Sequence, residues 1–121
     1  MKQKKNSIYF EEISNITNKF YYEIFKSFFK KNYKILDFGC GTGVLLEKID
    51  AKEKIGIETN SFSKNKLIKK KIKNFNKLSK VKNNYFDIIL ALSVIDHIEK
   101  PYEIIRELRK KLKKNGKIMV G

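Results

Sequence analysis

The residues whose types and spacing most clearly suggest chemistry form the stretch ILDFGCGTG, residues 35–43. An apolar strand pattern ends at Asp37 and continues directly into glycines at positions 39, 41 and 43. Glycine allows a sharp turn and lets a ligand approach the backbone, because it has no Cβ. The free amides of such a turn, and of a helix that begins after it, can bind a polar or anionic group. The stretch therefore predicts a ligand-binding loop between a strand and a helix.

The spacing of the glycines discriminates between nucleotide ligands. A dinucleotide-binding loop requires G-x-G-x-x-G, and Val44 occupies the place of its third glycine. A phosphate-binding P-loop requires Gly-Lys-Ser/Thr after four intervening residues, and the stretch has none. Asp37 suits a ligand that carries an ammonium group, which S-adenosylmethionine (SAM) has and which NAD and ATP lack. The loop therefore favours SAM.

Alternating strands and helices are predicted to position this loop. Phe86–Leu92 is nearly all apolar, as expected for a parallel strand that is covered on both faces. Asn115 and Gly116 are expected to end the last helix. The alternation predicts an α/β fold with a doubly wound, mostly parallel sheet. Strands are predicted at 34–38, 54–58, 73–76, 86–92 and 117–120, and helices at 8–30, 44–49, 63–73 and 101–114.

An N-terminal helical segment, residues 1–32, is expected to belong to the same domain as residues 33–121. Its apolar side chains recur at spacings of three and four, which predicts a helix that covers the core with this stripe. A role as a lid over the ligand is the alternative. The stripe comprises Ile13, Ile16, Phe20, Ile24 and Phe28, widened by Tyr21 and Phe25.

The glycine-rich string resembles the first motif of class I, Rossmann-like, SAM-dependent methyltransferases. Three later stretches resemble that family's second strand, its fourth strand with the following helix, and the run into its fifth strand: GIE (56–58), YFDIILALSVIDHI (85–98) and LRKKLKKNGKIMV (108–120). The resemblance covers residues 33–121 and implies helices on both faces of the sheet and SAM as the cofactor. The family sheet usually has seven strands, so we expect this domain to lack the last two and to be truncated at its C-terminus.

The resemblance also implies roles for individual residues. Asp37 would hold the methionine ammonium group, and Glu58, followed by Thr59, would bind the ribose. The family often has an acidic residue near adenine, whereas the corresponding stretch NKLSKVKNN has no carboxylate. Leu78 and Ser79 would therefore contact adenine through backbone and apolar atoms. The remaining implied cofactor contacts are Phe38, Gly39, Cys40, Gly41 and Gly43 in the loop, and Ala91 and Leu92 after the fourth strand.

The resemblance leaves the catalytic residues unknown. His97 is the only histidine and follows Asp96, so a role as a base and a purely structural position both stay open. Some metal-dependent relatives have Glu-x-x-Glu-His here, but Ser93 replaces the first carboxylate, and we expect no metal. Cys40, the only cysteine, is expected to fill space in the loop, although a helix N-terminus can lower the pKa of a thiol.

The expected reaction is methyl transfer from SAM to an O, N or C atom of a small-molecule acceptor. The alternatives are an RNA or tRNA methyltransferase and a SAM-binding module without its own activity.

The net charge is +15, almost entirely from lysine, which A/T-rich codons also favour. The lysines between Lys64 and Lys82 are read as a solvated face, with an RNA-facing patch as the alternative, so any nucleic-acid binding should be weak and salt-sensitive.

The remaining sequence features predict a cytoplasmic protein. No apolar run approaches the ~20 residues of a membrane helix, and the stretch MKQKKNSIYF is not followed by the apolar region of a secretory signal. A single cysteine cannot form an internal disulfide.

Overall fold

The computed structural model describes residues 2–92 and 94–121, with side chains from residue 12 onward. Its centre is a five-stranded sheet in the order β3-β2-β1-β4-β5, with every neighbouring pair parallel. The chain runs outward from β1 to β3 and then returns to the other side of β1. This reversal places a crevice between the carboxyl ends of β1 and β4, where such sheets bind ligands. The strands are β1 (Lys34–Phe38), β2 (Glu53–Ile57), β3 (Lys73–Phe75), β4 (Phe86–Ala91) and β5 (Leu112–Val120).

Helices cover both faces of the sheet, which confirms the predicted α/β class. The helices are α1 (Lys2–Phe25), α2 (Val44–Lys48), α3 (Ser61–Lys69) and α4 (Pro101–Lys111). Ile35 faces the side of α1, α2 and α3, and its neighbour Leu36 faces the side of α4. Both are fully buried, because successive residues of a strand point to opposite faces and both faces are covered. No helix in the described part of the chain is long and apolar enough to cross a membrane.

The predicted buried stripe of the N-terminal helix is wrong for five of its seven residues. Ile13, Ile16, Phe20, Ile24 and Phe28 are all exposed, with Ile16 at 69%. The side chains that contact the core are Tyr21 and Phe25, from the margin of the predicted stripe, together with Tyr22 and Phe29, and all four are aromatic. Both sets have helical spacing, but aromatic rings remove more apolar area from water, so their face turns inward. Periodicity alone could not choose between the two faces.

The end of the last helix also differs from the prediction. α4 stops at Lys111, three residues before the predicted end at residue 114, and Leu112 has extended backbone. Backbone amides that lead into β4 reach the end of α4: Asn84 N–H donates to the Lys110 carbonyl and Tyr85 N–H to the Lys111 carbonyl, both at 2.9 Å. Asn115 and Gly116 lie inside β5. At this point the pairing of β5 with β4 changes register, between Phe86 and Ile88 of β4. The turn residues therefore mark an irregularity within the strand.

The orientation of α1 generates a stability prediction for two phenylalanines of the same helix. Phe20→Ala should change the free energy of unfolding by less than about 0.5 kcal/mol, because the ring is 62% exposed. Phe25→Ala should cost about 1–3 kcal/mol, because that ring packs against the core. Urea unfolding of both variants checks this. Equal losses would mean that the described orientation of α1 is incorrect.

Candidate functional site

The loop after β1 has a backbone that only glycine adopts readily. Gly39 and Gly41 have φ values of +75° and +56°, in the left-handed region. A Cβ on Gly39 would collide with the Val94 side chain. A Cβ on Gly41 would meet nothing within 4 Å, because this residue borders open space. The loop thus presents bare backbone to a cavity, as the sequence predicted.

Glu58 fastens this loop to the end of β2. Its Oε1 accepts a hydrogen bond from the Gly41 amide at 2.9 Å. Its Oε2 accepts from the amides of Thr59 and Asn60, each at 2.9 Å. The Ile57 carbonyl also accepts from the amides of Gly39 and Cys40, at 2.9 and 3.1 Å. The glycine loop therefore folds over the carboxyl end of β2 and is held there by three hydrogen bonds, from the amides of Gly39, Cys40 and Gly41.

Two cavities meet at Gly39, at the carboxyl ends of the strands. The first has a volume of about 310 Å³ and lies between the loop, Leu92 and the inner side of α1. The second has a volume of about 260 Å³ and lies beside Glu58, with Val94 and Ile98 opposite. Because both are lined by Gly39, one elongated ligand can extend from the first cavity into the second.

Eight of the predicted cofactor residues line these cavities. The first is lined by Asp37, Gly39, Cys40, Gly41 and Leu92, and the second by Phe38, Gly39, Glu58 and Thr59.

Four predicted residues line neither cavity. Gly43 precedes α2 and shapes the loop, with φ +83°. Ala91 is fully buried in the sheet. Leu78 and Ser79 lie in a 3-10 turn, Leu78–Lys80, where Leu78 packs against the core on the α4 side. Their contact with adenine stays a prediction.

The sequence patterns did not identify cavity residues in two parts of the chain, the segment after β4 and helix α1. Val94 and Ile98 follow β4 and line the second cavity. Thr17, Asn18 and Tyr21 reach the first cavity from α1. Val94 and Ile98 could have been found from the apolar pattern after β4. The α1 residues could not, because their position depends on which face of α1 turns inward.

Asp37 is a buried carboxyl group that borders the first cavity, and it is only 5% exposed. Burial, and after it the negative charge of Glu58, together raise its pKa to about 8. Asp37 is therefore mostly protonated at neutral pH. A cationic group placed beside it would favour the carboxylate form, because opposite charges attract strongly in a site shielded from water.

Cys40 is also buried, and its environment disfavours a thiolate. Burial raises the pKa of the thiol, and the nearby charges of Asp37 and Glu58 raise it further. The helix N-terminus that follows does not outweigh these effects. Since the thiolate is the nucleophilic form, Cys40 is not an activated nucleophile here.

His97 lies apart from the two cavities. Its side chain is 78% exposed, and its Nε2 is 3.8 Å from Asp96 Oδ2. In the described part of the chain, no three His, Cys, Asp or Glu side chains are grouped so that they could hold a metal ion. The expectation of no metal relied on Ser93, which lies outside the described residues, so it stays a prediction.

Comparison with known proteins agrees with this geometry. The sequence model of a methyltransferase-domain family matches residues 7–120. A ubiquinone biosynthesis O-methyltransferase from Pelagibacter ubique is 38% identical over 104 residues, which are 75% of this chain and 42% of that protein. An uncharacterised protein from Methanocaldococcus jannaschii is 33% identical over 118 residues, 95% of this chain and 48% of that protein.

The same architecture occurs in solved structures. A crystal structure from Methanococcus maripaludis, assigned as a SAM-dependent methyltransferase, superimposes with a TM-score of 0.68 at 19% identity. The superposition covers 93% of this chain and 56% of the Methanococcus chain. The chain belongs to the class I, SAM-dependent methyltransferase family. It spans less than half the length of the curated relatives that it matches.

The raised pKa of Asp37 predicts how its contribution to stability depends on pH. Below about pH 4 the group is protonated both folded and unfolded, so the Asp37→Asn variant and the wild type should have similar stabilities. Between about pH 4 and the folded pKa of about 8, only the unfolded state loses the proton, so this contribution falls as pH rises. Asp37→Asn should therefore be the more stable protein at pH 8. Urea unfolding of both proteins at pH 4, 6 and 8 measures the difference, and a difference that is constant with pH would contradict the assignment.

Proposed function

We propose that this chain binds SAM across the two cavities and serves methyl transfer to an oxygen atom of a small-molecule acceptor. The single observation that carries the proposal is the placement of Asp37 and Glu58. These carboxyl groups end adjacent parallel strands, and the glycine loop joins the cavities on which they border.

The residues fit the parts of SAM. Asp37, buried at the first cavity, suits the methionine ammonium group, and the bare backbone at Gly39 and Gly41 leaves room for the chain beside it. Glu58 borders the second cavity and retains lone pairs on a carboxylate that can accept up to four hydrogen bonds. Three amides already donate to it, so one acceptor site is open, and two ribose hydroxyls can bond when one of these amide hydrogen bonds is released. Val94 and Ile98 give that cavity an apolar wall against which a purine ring can lie.

The contribution of the chain to the reaction is binding and positioning. Bound SAM supplies a methyl group on a positively charged sulfur, which is already activated for displacement. Asp37 loses its proton when it pairs with the ammonium group, and this charge pair fixes the methionine end. The inner face of α1 forms one wall of the first cavity with Thr17, Asn18 and Tyr21. This wall limits access of water and leaves the acceptor a defined approach, which is the main requirement of an in-line transfer.

The oxygen acceptor is the finer part of the proposal. It is supported by the Pelagibacter relative, which is named as an O-methyltransferase of ubiquinone biosynthesis. The polar side chains of Thr17 and Asn18 at the first cavity suit a hydroxylated molecule, since they can hydrogen-bond to it. An RNA acceptor is disfavoured at this cavity, because α1 crosses it and leaves about 310 Å³, room for a small molecule.

Glu58→Gln should weaken SAM binding, by less than the roughly 1–3 kcal/mol expected for Glu58→Ala, because two hydroxyl groups lose a charged acceptor but keep a neutral one. Glu103→Gln is the matched control, since Glu103 is exposed on α4 and should bind like wild type. Isothermal titration calorimetry with SAM, S-adenosylhomocysteine and NAD measures the affinities. Binding of NAD without binding of SAM would refute the proposed cofactor, and equal affinities of both variants would refute the role of Glu58.

The acceptor is tested with radiolabelled SAM. We expect labelled methyl groups on hydroxylated aromatic compounds and none on bulk RNA. Thr17→Val with Asn18→Leu should raise KM for such an acceptor while the Kd for SAM changes less than about threefold. Incorporation into RNA alone would replace the small-molecule assignment, and SAM binding with no transfer to either would favour a binding module.

A further inference from the structure

A second feature lies at the opposite end of the sheet from the glycine loop. Between Glu58 and Asp87 the sequence has nine lysines and no acidic residue. A/T-rich codons favour lysine, but they also encode aspartate and glutamate, so codon bias does not account for the missing carboxylates. The fold gathers this segment along one edge, because it forms α3, the edge strand β3 and the connection to β4.

Three of these lysines line one cleft of about 190 Å³. The cleft begins at the amino ends of the strands, where Glu53 and Lys73 begin β2 and β3 and Tyr85 directly precedes β4, and it extends along β3 to Phe75. Lys80 and Lys82 complete its basic lining. Its volume is below the roughly 300–1,000 Å³ of pockets for drug-sized ligands, so it suits one small charged group.

The charges in the cleft are unbalanced. Glu53 supplies its single carboxylate, which pairs with Lys73 at 3.7 Å and accepts a hydrogen bond from the Tyr85 hydroxyl. Among the described residues, no carboxylate lies within ion-pair distance of Lys80 or Lys82. Lys82 lies over the Tyr85 ring, with Nζ 5.0 Å from its centre. Two ammonium groups are therefore available to an anion.

The segment that carries these lysines is held in place by a buried lysine. Lys111 is 7% exposed, and its Nζ donates to the Val81 carbonyl and to Asn83 Oδ1, both at 2.9 Å. These bonds hold the backbone of Val81 and the side chain of Asn83, the two neighbours of Lys82. A site fixed before binding has less conformational entropy to lose when the ligand arrives.

We propose that this cleft binds a phosphate group. Lysine binds phosphate as a point charge, and a phosphate group offers several acceptor oxygens to converging ammonium groups. The cleft is a site separate from the proposed SAM site, since no residue that lines it also lines either of the two cavities at the glycine loop. The phosphate can belong to a phosphorylated small molecule or to the backbone of an oligonucleotide.

The test uses inorganic phosphate and the amide signals of the ¹⁵N-labelled protein at about 0.15 M KCl, where diffuse surface charge is largely screened. We expect saturable shifts at Lys73 and at residues 80–85. Lys80→Gln with Lys82→Gln should weaken binding by about tenfold or more. Lys69→Gln with Lys71→Gln is the matched control: it removes the same charge from the same segment, outside the cleft, and should change the affinity less than about twofold.

A variant that is expected to tighten phosphate binding distinguishes an effect on binding from a loss of folding. Glu53→Gln removes the only carboxylate of the cleft but keeps an acceptor for Tyr85, so it should tighten phosphate binding by a few fold. Equal losses in the two double-lysine variants, weaker binding in Glu53→Gln, or shifts without saturation would each overturn the proposal.

The source of the phosphate is distinguished by two further titrations. A 5′-phosphorylated oligouridylate is compared with the same oligomer without its terminal phosphate. A preference for the phosphorylated form supports a phosphate monoester. Equal binding of both, tighter than inorganic phosphate and lost in Lys80→Gln with Lys82→Gln, supports a phosphodiester backbone.

Discussion

The carboxylate of Glu58 is the constraint on which the arrangement of the site depends. Its Oε1 joins the glycine loop after β1 to the end of β2 through the Gly41 amide, and its Oε2 holds the turn after β2 through the amides of Thr59 and Asn60. Without an acceptor at this point, three amides at the mouth of the site would lack these partners. The same group is the proposed ligand of the ribose, so one carboxylate both shapes the loop and faces the cofactor. Its position follows from parallel pairing, because β1 and β2 end side by side.

The charge of Glu58 also affects its neighbour. Asp37 is buried beside it, and together burial and this charge raise the pKa of Asp37 to about 8. The protein thus keeps a carboxyl group that is costly to ionise in the absence of a cation. In the proposed function, the positive ammonium group offsets that cost, and recognition depends on charge more than on shape.

The two ends of the sheet carry opposite electrostatic characters. At the carboxyl ends, Asp37 and Glu58 form an acidic centre lined by glycine backbone. At the amino ends, Lys73, Lys80 and Lys82 form a basic cleft around a single carboxylate. The parallel arrangement separates these centres along the length of the strands. The proposed SAM site and the proposed phosphate site can therefore be altered independently.

The sequence by itself determined the strand–loop–helix unit at Asp37–Gly43, the α/β class and the carboxylate at the end of β2. These features are local, because glycine spacing and apolar runs leave few backbone alternatives. Only the tertiary structure decided which face of α1 packs inward, since the sequence pattern placed Phe20 and Phe25 on one broad apolar stripe, of which Phe20 is exposed and Phe25 packs against the core. It also decided where α4 ends, because amides of the chain that leads into β4 donate hydrogen bonds to the carbonyls at the end of α4. Likewise, the convergence of Lys73, Lys80 and Lys82 on one cleft depends on contacts between residues distant in the chain, which no local pattern records.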